Sequence, residues 1–248
     1  MSKQVVLITG ALAGIGRATA IAFAHEDAQI VVSGRREEEG RKLAAELHSL
    51  GAEAEFIRAD VRHEDDVRNL VDMTVAKFGR IDTAVNNAGT EGVHGPVIDQ
   101  TAESYAAIFD TNVLGVLLSM KHQMRVMQAQ GSGNIINISS AFGKIGGANA
   151  SVYVASKHAV EGLTKSAALE AAPYGVRVNA VAPGPVQTPM LDRSAPGEDG
   201  RNHMASLVPM KRIGKPEEIA DTVVFVASAK ASFITGQSFS ADGGQTVG

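Results

Sequence analysis

The sequence predicts an α/β fold: one doubly wound parallel sheet, in a single domain spanning residues 1–248. Three observations predict it. The chain opens on a short apolar, β-branched run, then a glycine-rich turn, then a helical stretch. Further apolar runs alternate with amphipathic ones to the end of the chain, the pattern of a parallel sheet with helices on both faces. The length, 248 residues, fits one large core.

The elements follow in order. Val5-Val-Leu-Ile8 reads as the first buried strand and Arg17 to Ala24 as the first helix. Ile30 to Ser33 is the second strand, and the mixed-sign run Arg35 to Glu39 starts a solvated helix. Ala54 to Arg58 is the third strand. Val67, Leu70, Val71, Thr74, Val75 and Phe78 recur at helical spacing and predict an amphipathic helix over 64–78. Thr83 to Asn86 is the fourth strand. One long helix is expected over 102–129, with a break near Asn112 and Gly115. Asn134 to Ser139, Val176 to Val181 and Ser238 to Ala241 complete the sheet. Residues 185–216, with Pro185, Pro189, Pro196, Pro209 and Pro216, form the least regular stretch. A loop that long is functional or disordered. Its Val186, Met190, Leu191, Met204, Leu207 and Met210 either line a pocket or pack on the domain or a neighbouring subunit.

Composition narrows the function. The formal net charge is −4 without a basic tract, which argues against nucleic-acid binding. No apolar run approaches the ~20 residues that span a bilayer. Met1-Ser-Lys-Gln leads straight into the first strand, so no secretory leader is expected. Cysteine is absent, which excludes disulfides and thiol catalysis and is compatible with a cytoplasmic location. His25, His94, His122 and His158 show no metal-ligand spacing, and no metal is expected; they read as surface or locally satisfied residues.

Two constellations carry chemistry. Thr9-Gly-Ala-Leu-Ala-Gly-Ile-Gly16 lies between strand and helix, where backbone N–H groups and a helix N-terminus hold a pyrophosphate. Tyr153 and Lys157 are spaced i, i+4 and share one helix face. A free phenol, with a pKa of about 10, is a poor acid or base near neutrality. A nearby ammonium is expected to lower that value. Asn137-Ile-Ser-Ser140 ends thirteen residues before Tyr153, and a hydroxyl there can hold a substrate oxygen.

The glycine turn, Asn86-Asn-Ala-Gly89, Ser140, Tyr153 with Lys157, and Pro183-Gly184 stand in the order and spacing of the short-chain dehydrogenase/reductase family. The chain resembles that family's common single-domain type over essentially its whole length, with a Rossmann-type sheet. The resemblance implies reversible hydride transfer between nicotinamide and a carbonyl or alcohol carbon. It implies Ser140 as the hydrogen-bond donor to the carbonyl, Tyr153 as the proton carrier, Lys157 as its activator and ribose ligand, and Asn112 as the link to water. The implied cofactor contacts are Gly10, Ala13, Gly14, Ile15 and Gly16 at the pyrophosphate, and Asp60 and Val61 at the adenine. Asn86, Ala88 and Gly89 are implied along the ribose, and Pro183, Gly184 and Thr188 at the nicotinamide amide. It also makes 185–216 a substrate lid.

Cofactor choice turns on charge. Gly34 stands where an NAD-specific relative carries Asp, and Arg35 and Arg36 follow. A guanidinium can pair with the 2′-phosphate of NADP, so NADP is favoured. Ala13 stands where some NADP-preferring relatives carry a basic residue, Glu37 to Glu39 lie close, and an arginine can instead stack on adenine and serve NAD. The alternative activity is a 3-oxoacyl-thioester reductase of fatty-acid synthesis, which would dock an acidic carrier protein on a basic patch such as Lys121, His122, Arg125 and Lys165. The intact Ser140, Tyr153 and Lys157 set argues against a non-catalytic dinucleotide sensor. Small residues on several faces of the helix from Tyr153 to Ala172 let a second helix approach, and the run Phe233 to Phe239 adds apolar surface; in the family that the chain resembles these two regions make paired two-fold contacts, so the resemblance implies a homotetramer.

Overall fold

The computed structural model describes residues 3–247. Met1 and Ser2, which belong to the chain start read above, and Gly248 lie outside the described residues. Seven parallel strands form the sheet: β1 (Val5–Thr9), β2 (Gln29–Gly34), β3 (Glu53–Arg58), β4 (Thr83–Asn86), β5 (Gly133–Ile138), β6 (Val176–Pro183) and β7 (Ser238–Ala241). Their order is β3-β2-β1-β4-β5-β6-β7. After β3 the chain crosses to the far side of β1, so the winding direction reverses between β1 and β4. Ligands of such sheets bind beyond the strand ends at that reversal.

Alternation along the strands divides the core into two layers. Val6, Ile8, Ile30, Val32, Val85 and Ile136 face one side and meet Phe23, Leu43, Leu47, Ile219 and Val223. These come from helices α1 (Gly14–His25) and α2 (Glu37–Ser49), and from the helix Pro216–Ala227 near the chain end. Leu7, Val31, Ala84 and Ile135 face the other side, against Leu70, Val71, Val116, Met120, Met127 and Val160. Those belong to α3 (Glu64–Phe78), α5 (Gly115–Gln130) and α6 (Ser151–Ala171).

Two stretches hold more helix than the sequence reading gave them, and the break expected near Asn112 and Gly115 takes a definite form. The acidic run after β2 is the first turn of a full helix, α2, whose inner face is only Gly40, Leu43 and Leu47, too sparse for its length to be read. The helix expected over 102–129 is two helices, α4 (Ala102–Phe109) and α5, joined by a π-helical turn, Asp110–Leu114. The proline-rich stretch is not one loop. It holds α7 (Pro189–Ser194) and α8 (Gly197–Ser206), and the helix Pro216–Ala227, α9, closes it. Pro189 and Pro216 each sit in a first turn, where a missing N–H costs nothing.

Candidate active site

The glycine turn lies against the chain leaving β4. Gly10 has φ +63°, and a Cβ there would come within 2.6 Å of the Ala88 Cα. Gly14 has φ +54° and faces the methyl of Thr188. Asn87 Nδ2 donates to the Gly10 carbonyl at 2.8 Å and the Thr9 carbonyl at 3.3 Å, and the Ala88 N–H donates to Thr9 Oγ1 at 3.3 Å. The two strand ends are thereby stitched together. No side chain caps the start of α1 at Ala13, so the N–H groups at Ile15 and Gly16 and the positive end of the helix dipole remain available to an anion. That vacancy of side chains, lined by glycine, fits a pyrophosphate.

Of the other residues expected at the cofactor, Asp60 sits beyond β3, where Arg62 grips its carboxylate in a fork at 2.6–3.1 Å. Arg62 holds the Asp60 carboxyl down at about 2. Val61 packs beside Ala88 in a small cluster with Val67 and Leu118. Gly184 follows β6 and donates its N–H to the Ala241 carbonyl at 3.2 Å; Pro183 is the last residue of that strand. Thr188 caps α7, accepting from the Leu191 N–H at 3.3 Å. Asn86 is different. Its side chain turns into the sheet and bonds Gln123 and Asn137 at 2.8–3.1 Å, and Asn137 continues to Thr164 at 3.0 Å. That amide serves the interior.

Arg35 is exposed, and among the described residues its guanidinium has no hydrogen-bond or ion-pair partner. The three glutamates beside it are engaged elsewhere: Glu37 with Arg41, Glu38 with Lys42 and Glu39 with Arg36. The end of β2 therefore presents a guanidinium with no direct ion-pair partner among the described residues, its charge reaching as far as the Asp60 carboxylate.

At the other end of the groove, Tyr153 and Lys157 rise from the first turns of α6, and Ser140 follows β5. The Lys157 ammonium lies 5.6 Å from the Tyr153 ring centroid and donates to the Ile138 carbonyl at 2.9 Å. Phe142 packs edge-on against the Tyr153 ring, centroids 6.3 Å apart. A Cβ on Gly89 would stand 3.7 Å from Lys157 Nζ and 3.4 Å from Asn112 Oδ1, so the loop after β4 touches both. Asn112 is buried in the π-helical turn. Its amide donates to the Thr90 carbonyl at 2.9 Å and to Ser156 Oγ at 3.1 Å, and its Oδ1 accepts from the Thr90 N–H at 2.8 Å. Ser156 in turn donates to the Tyr153 carbonyl at 2.7 Å. Ser139 pairs through its backbone with Val181 at 2.8 Å, while its hydroxyl is buried without a partner.

The electrostatics correct one expectation. Crowding against protein pushes the Tyr153 phenol up to about 12; the Ser140 hydroxyl pulls it down and Glu91 pushes it further up. Burial likewise presses Lys157 down to about 8, opposed by Glu161. At the phenol, desolvation therefore outweighs the Ser140 hydrogen bond in the chain by itself. Glu91, Asn87 and Arg193 were not read from the sequence: their contacts join segments 77 and 102 residues apart, and no local pattern carries that. His122 is also unlike the expectation. It is buried, with Nε2 3.2 Å from Glu64 and Nδ1 unpartnered.

Two surface hollows lie away from this groove. One, of about 490 Å³, runs along α2 and β3 past Glu37, Arg41 and His48; the other, of about 440 Å³, lies at the opposite ends of the strands past Lys3, Arg80 and Arg177. Their charges are spent on neighbours, as in Glu37–Arg41 and Arg80–Asp82, and neither gathers an acid–base set.

A family model described as enoyl-(acyl carrier protein) reductase matches residues 10–246. The chain belongs to the short-chain dehydrogenase/reductase family. It is 40% identical over 246 residues to the cis-4-hydroxycyclohexanecarboxylate dehydrogenase of Sinomonas cyclohexanicum, covering 99% of this chain and 98% of that one. It is 38% identical over 245 residues to the cyclohexanol dehydrogenase of Acinetobacter sp. (strain SE19), covering 99% and 96%. The solved structure of ElxO with NADP bound superposes with a TM-score of 0.93 at 34% identity, covering 100% of both chains. Within the family the chain is an NAD(P)-dependent oxidoreductase acting on alcohol and carbonyl groups. The carrier-protein alternative gains nothing specific: Lys121 and His122 are engaged by Glu64, and Arg125 by Asp72, which leaves Lys165 as the unpaired member of that patch. No described helix is long and apolar enough to cross a membrane.

Proposed function

We propose that this chain interconverts a secondary alicyclic alcohol and its ketone with NADP. The observation that carries the acid–base assignment is the convergence of Tyr153, Lys157 and Ser140 beside Gly89, with Asn112 braced against the same helix. The bound nicotinamide supplies or takes the hydride. Ser140 donates a hydrogen bond to the substrate oxygen and holds it by the phenol. Tyr153 gives its proton to that oxygen in reduction and takes it back in oxidation. Lys157 holds the phenolate charge that oxidation needs and reaches the ribose; its pull is felt once the groove is filled and water excluded. Asn112 keeps the first turn of α6 and the Thr90 loop at fixed distance.

Gly10, Ala13, Gly14, Ile15 and Gly16 receive the pyrophosphate, Asp60 and Val61 the adenine, Gly89 and Ala88 the ribose, and Pro183, Gly184 and Thr188 the carboxamide. The unpaired Arg35 supports NADP over NAD, because the nearby carboxylates are already spent. The alicyclic substrate class rests on the two dehydrogenases of cyclohexane-ring alcohols. Residues 185–216 form the cover of the substrate cleft: Val186 and Leu191 are buried within it, whereas Leu207 and Met210 stand exposed. The exposed Leu169 of α6 and Phe233 before β7 support a tetramer built on these two regions, and we place the enzyme in the cytoplasm.

A panel of cyclohexanols, ketones and an acyl thioester, assayed with both cofactors by nicotinamide absorbance, tests the reading. Turnover of ring alcohols with NADP is expected. Activity confined to the thioester would overturn it. Light scattering near the 25.8 kDa of one chain would remove the tetramer.

A further inference from the structure

Arg58 ends β3 in register with Gly34, the last residue of β2. The next N–H, that of Ala59, donates to the Gly34 carbonyl at 3.2 Å. Arg58 Nε donates to the Arg35 carbonyl at 3.3 Å. The side chain is exposed, and its two terminal nitrogens have no hydrogen-bond or ion-pair partner among the described residues. Two unpaired guanidinium groups, those of Arg35 and Arg58, thus meet at the backbone of residue 35. The carboxylates nearest in the chain do not offset them: Glu37, Glu38 and Glu39 are engaged as described above, Glu55 pairs with Lys77, and Asp60 with Arg62. Like charges brought together repel unless an anion joins them. The place is specific. The Ala11 N–H donates to the Ser33 carbonyl at 3.0 Å, and a Cβ on Gly34 would come within 2.7 Å of Leu12. The end of β2 therefore lies against the glycine turn that fits the pyrophosphate. From that turn the groove runs to Tyr153 on one side, so the adenosine half of a dinucleotide falls on the other, over the ends of β2 and β3. A carboxylate at position 34 would have to displace Leu12 from the turn.

We infer that Arg58 is a second specificity-determining residue for NADP, its terminal nitrogens taking the 2′-phosphate from the β3 side while Arg35 takes it from the β2 side. The inference rests on the NADP reading above and extends it to a residue on the neighbouring strand. A guanidinium presents its donors in one plane and can grip a phosphate through two of them at once. The bond from Nε to the Arg35 carbonyl holds that plane, so less side-chain freedom is lost when the phosphate arrives. Arg35 has no such tether. Arg36 stands beside it but is spent on Glu39, and it takes no part.

The test needs no turnover. Dissociation constants for NADP and NAD, and for adenosine 2′,5′-bisphosphate and adenosine 5′-monophosphate, are measured by calorimetric titration in the wild type, Arg58→Gln, Arg58→Lys and Arg36→Gln. Each pair of ligands differs in the 2′-phosphate alone. Arg58→Gln should weaken NADP and the bisphosphate roughly five- to twentyfold and leave NAD and the monophosphate within about twofold, the range of a charge-assisted contact partly screened by water. Arg58→Lys should recover part of the loss, since it keeps the charge and gives up the fork. Arg36→Gln should change the ratio of the two cofactors less than Arg58→Gln does. Losses shared equally by all the ligands would mark a purely structural residue and overturn the role. An Arg36→Gln loss as large as that of Arg58→Gln would mark a diffuse surface charge and overturn it too. If the wild type holds NADP no better than NAD, and the bisphosphate no better than the monophosphate, the NADP reading falls and the role of Arg58 with it. A wild-type preference for the phosphorylated ligands that survives intact in Arg58→Gln would leave the NADP reading on Arg35 and overturn Arg58 alone.

Discussion

The two ends of the cofactor groove are built from opposite materials. The pyrophosphate end is nearly all backbone: glycines at positive φ, an uncapped helix start, and Asn87 tying one strand end to the other. No titrating group takes part. The proton end is all side chain, with a phenol, an ammonium and an amide packed together and each braced by a neighbour. One end depends on atoms being missing and the other on charges being held where water would rather have them. Substitutions at the first should act through shape and binding, those at the second through protonation.

The largest expected effect is at the proton end. Tyr153→Phe should lose nearly all turnover, at least ~100-fold, while binding NADP as before. Steady-state rates and a fluorescence titration of the cofactor check it, and retention of more than about a tenth of the activity would end the assignment.

Gly10→Ala tests the other end. The new methyl needs φ near +63° and meets the Ala88 backbone, so a loss of about 2–3 kcal/mol in stability is expected, together with weaker cofactor binding. Thermal unfolding and the same titration measure both. A variant with unchanged stability would mean that the two strand ends are not in contact.

Lys157→Met sharpens the contrast, since here function and stability should part. Burial presses Lys157 from its ordinary 10.5 to about 8. Between those values the unfolded chain holds a proton that the folded chain has released, so wild-type stability rises as pH climbs from about 8 to 10.5. Below about 8 the folded chain carries the buried charge at a cost. Removing the ammonium should therefore cripple turnover and yet raise stability near neutrality by about 1–3 kcal/mol. That gain should vanish by pH 10.5. Calorimetric melting across this range decides it, and a gain that grew with pH would contradict the burial argument.

The smallest effect belongs to the rim. Arg35→Asp should weaken NADP binding about tenfold relative to NAD, because a charge-assisted pair becomes a repulsion. Equal losses for both cofactors, in dissociation constants measured side by side, would remove the phosphate role and favour NAD.

What was legible in the chain follows the same division. The strand Thr83–Asn86 stood out as a short run buried throughout, and the helix Glu64–Phe78 because it buries one continuous side and the spacing repeats that fact locally. The glycine turn and the Tyr153–Lys157 spacing were legible for the same reason: each is complete within a few residues. Helix α2 was underread because its inner face is three residues wide. Helices α7 and α8 were hidden by prolines and glycines that mark their starts and were taken for a loop. The Asn87 stitch, the Glu91–Arg193 bridge and the inward turn of Asn86 are properties of the fold, since their partners are set by strand order. The upward push on the Tyr153 phenol was not legible, because spacing reveals a neighbouring charge but not the loss of water around it.

The π-helical turn at Asp110–Leu114 has a consequence for how this chain tolerates change. Such a turn accommodates one residue more than an α-helix would, and one residue corresponds to about 100° of rotation about the axis. The buried sides of α4 and α5 are therefore out of phase across Asn112, and a single helical wheel drawn through both cannot align them. A one-residue deletion between Asp110 and Leu114 would let the backbone relax into uninterrupted α-helix. In doing so it would rotate everything on one flank and swing Asn112 away from Thr90 and Ser156. The segment thus works as a phase shifter: length there is as much a determinant of the active site as any side chain in it.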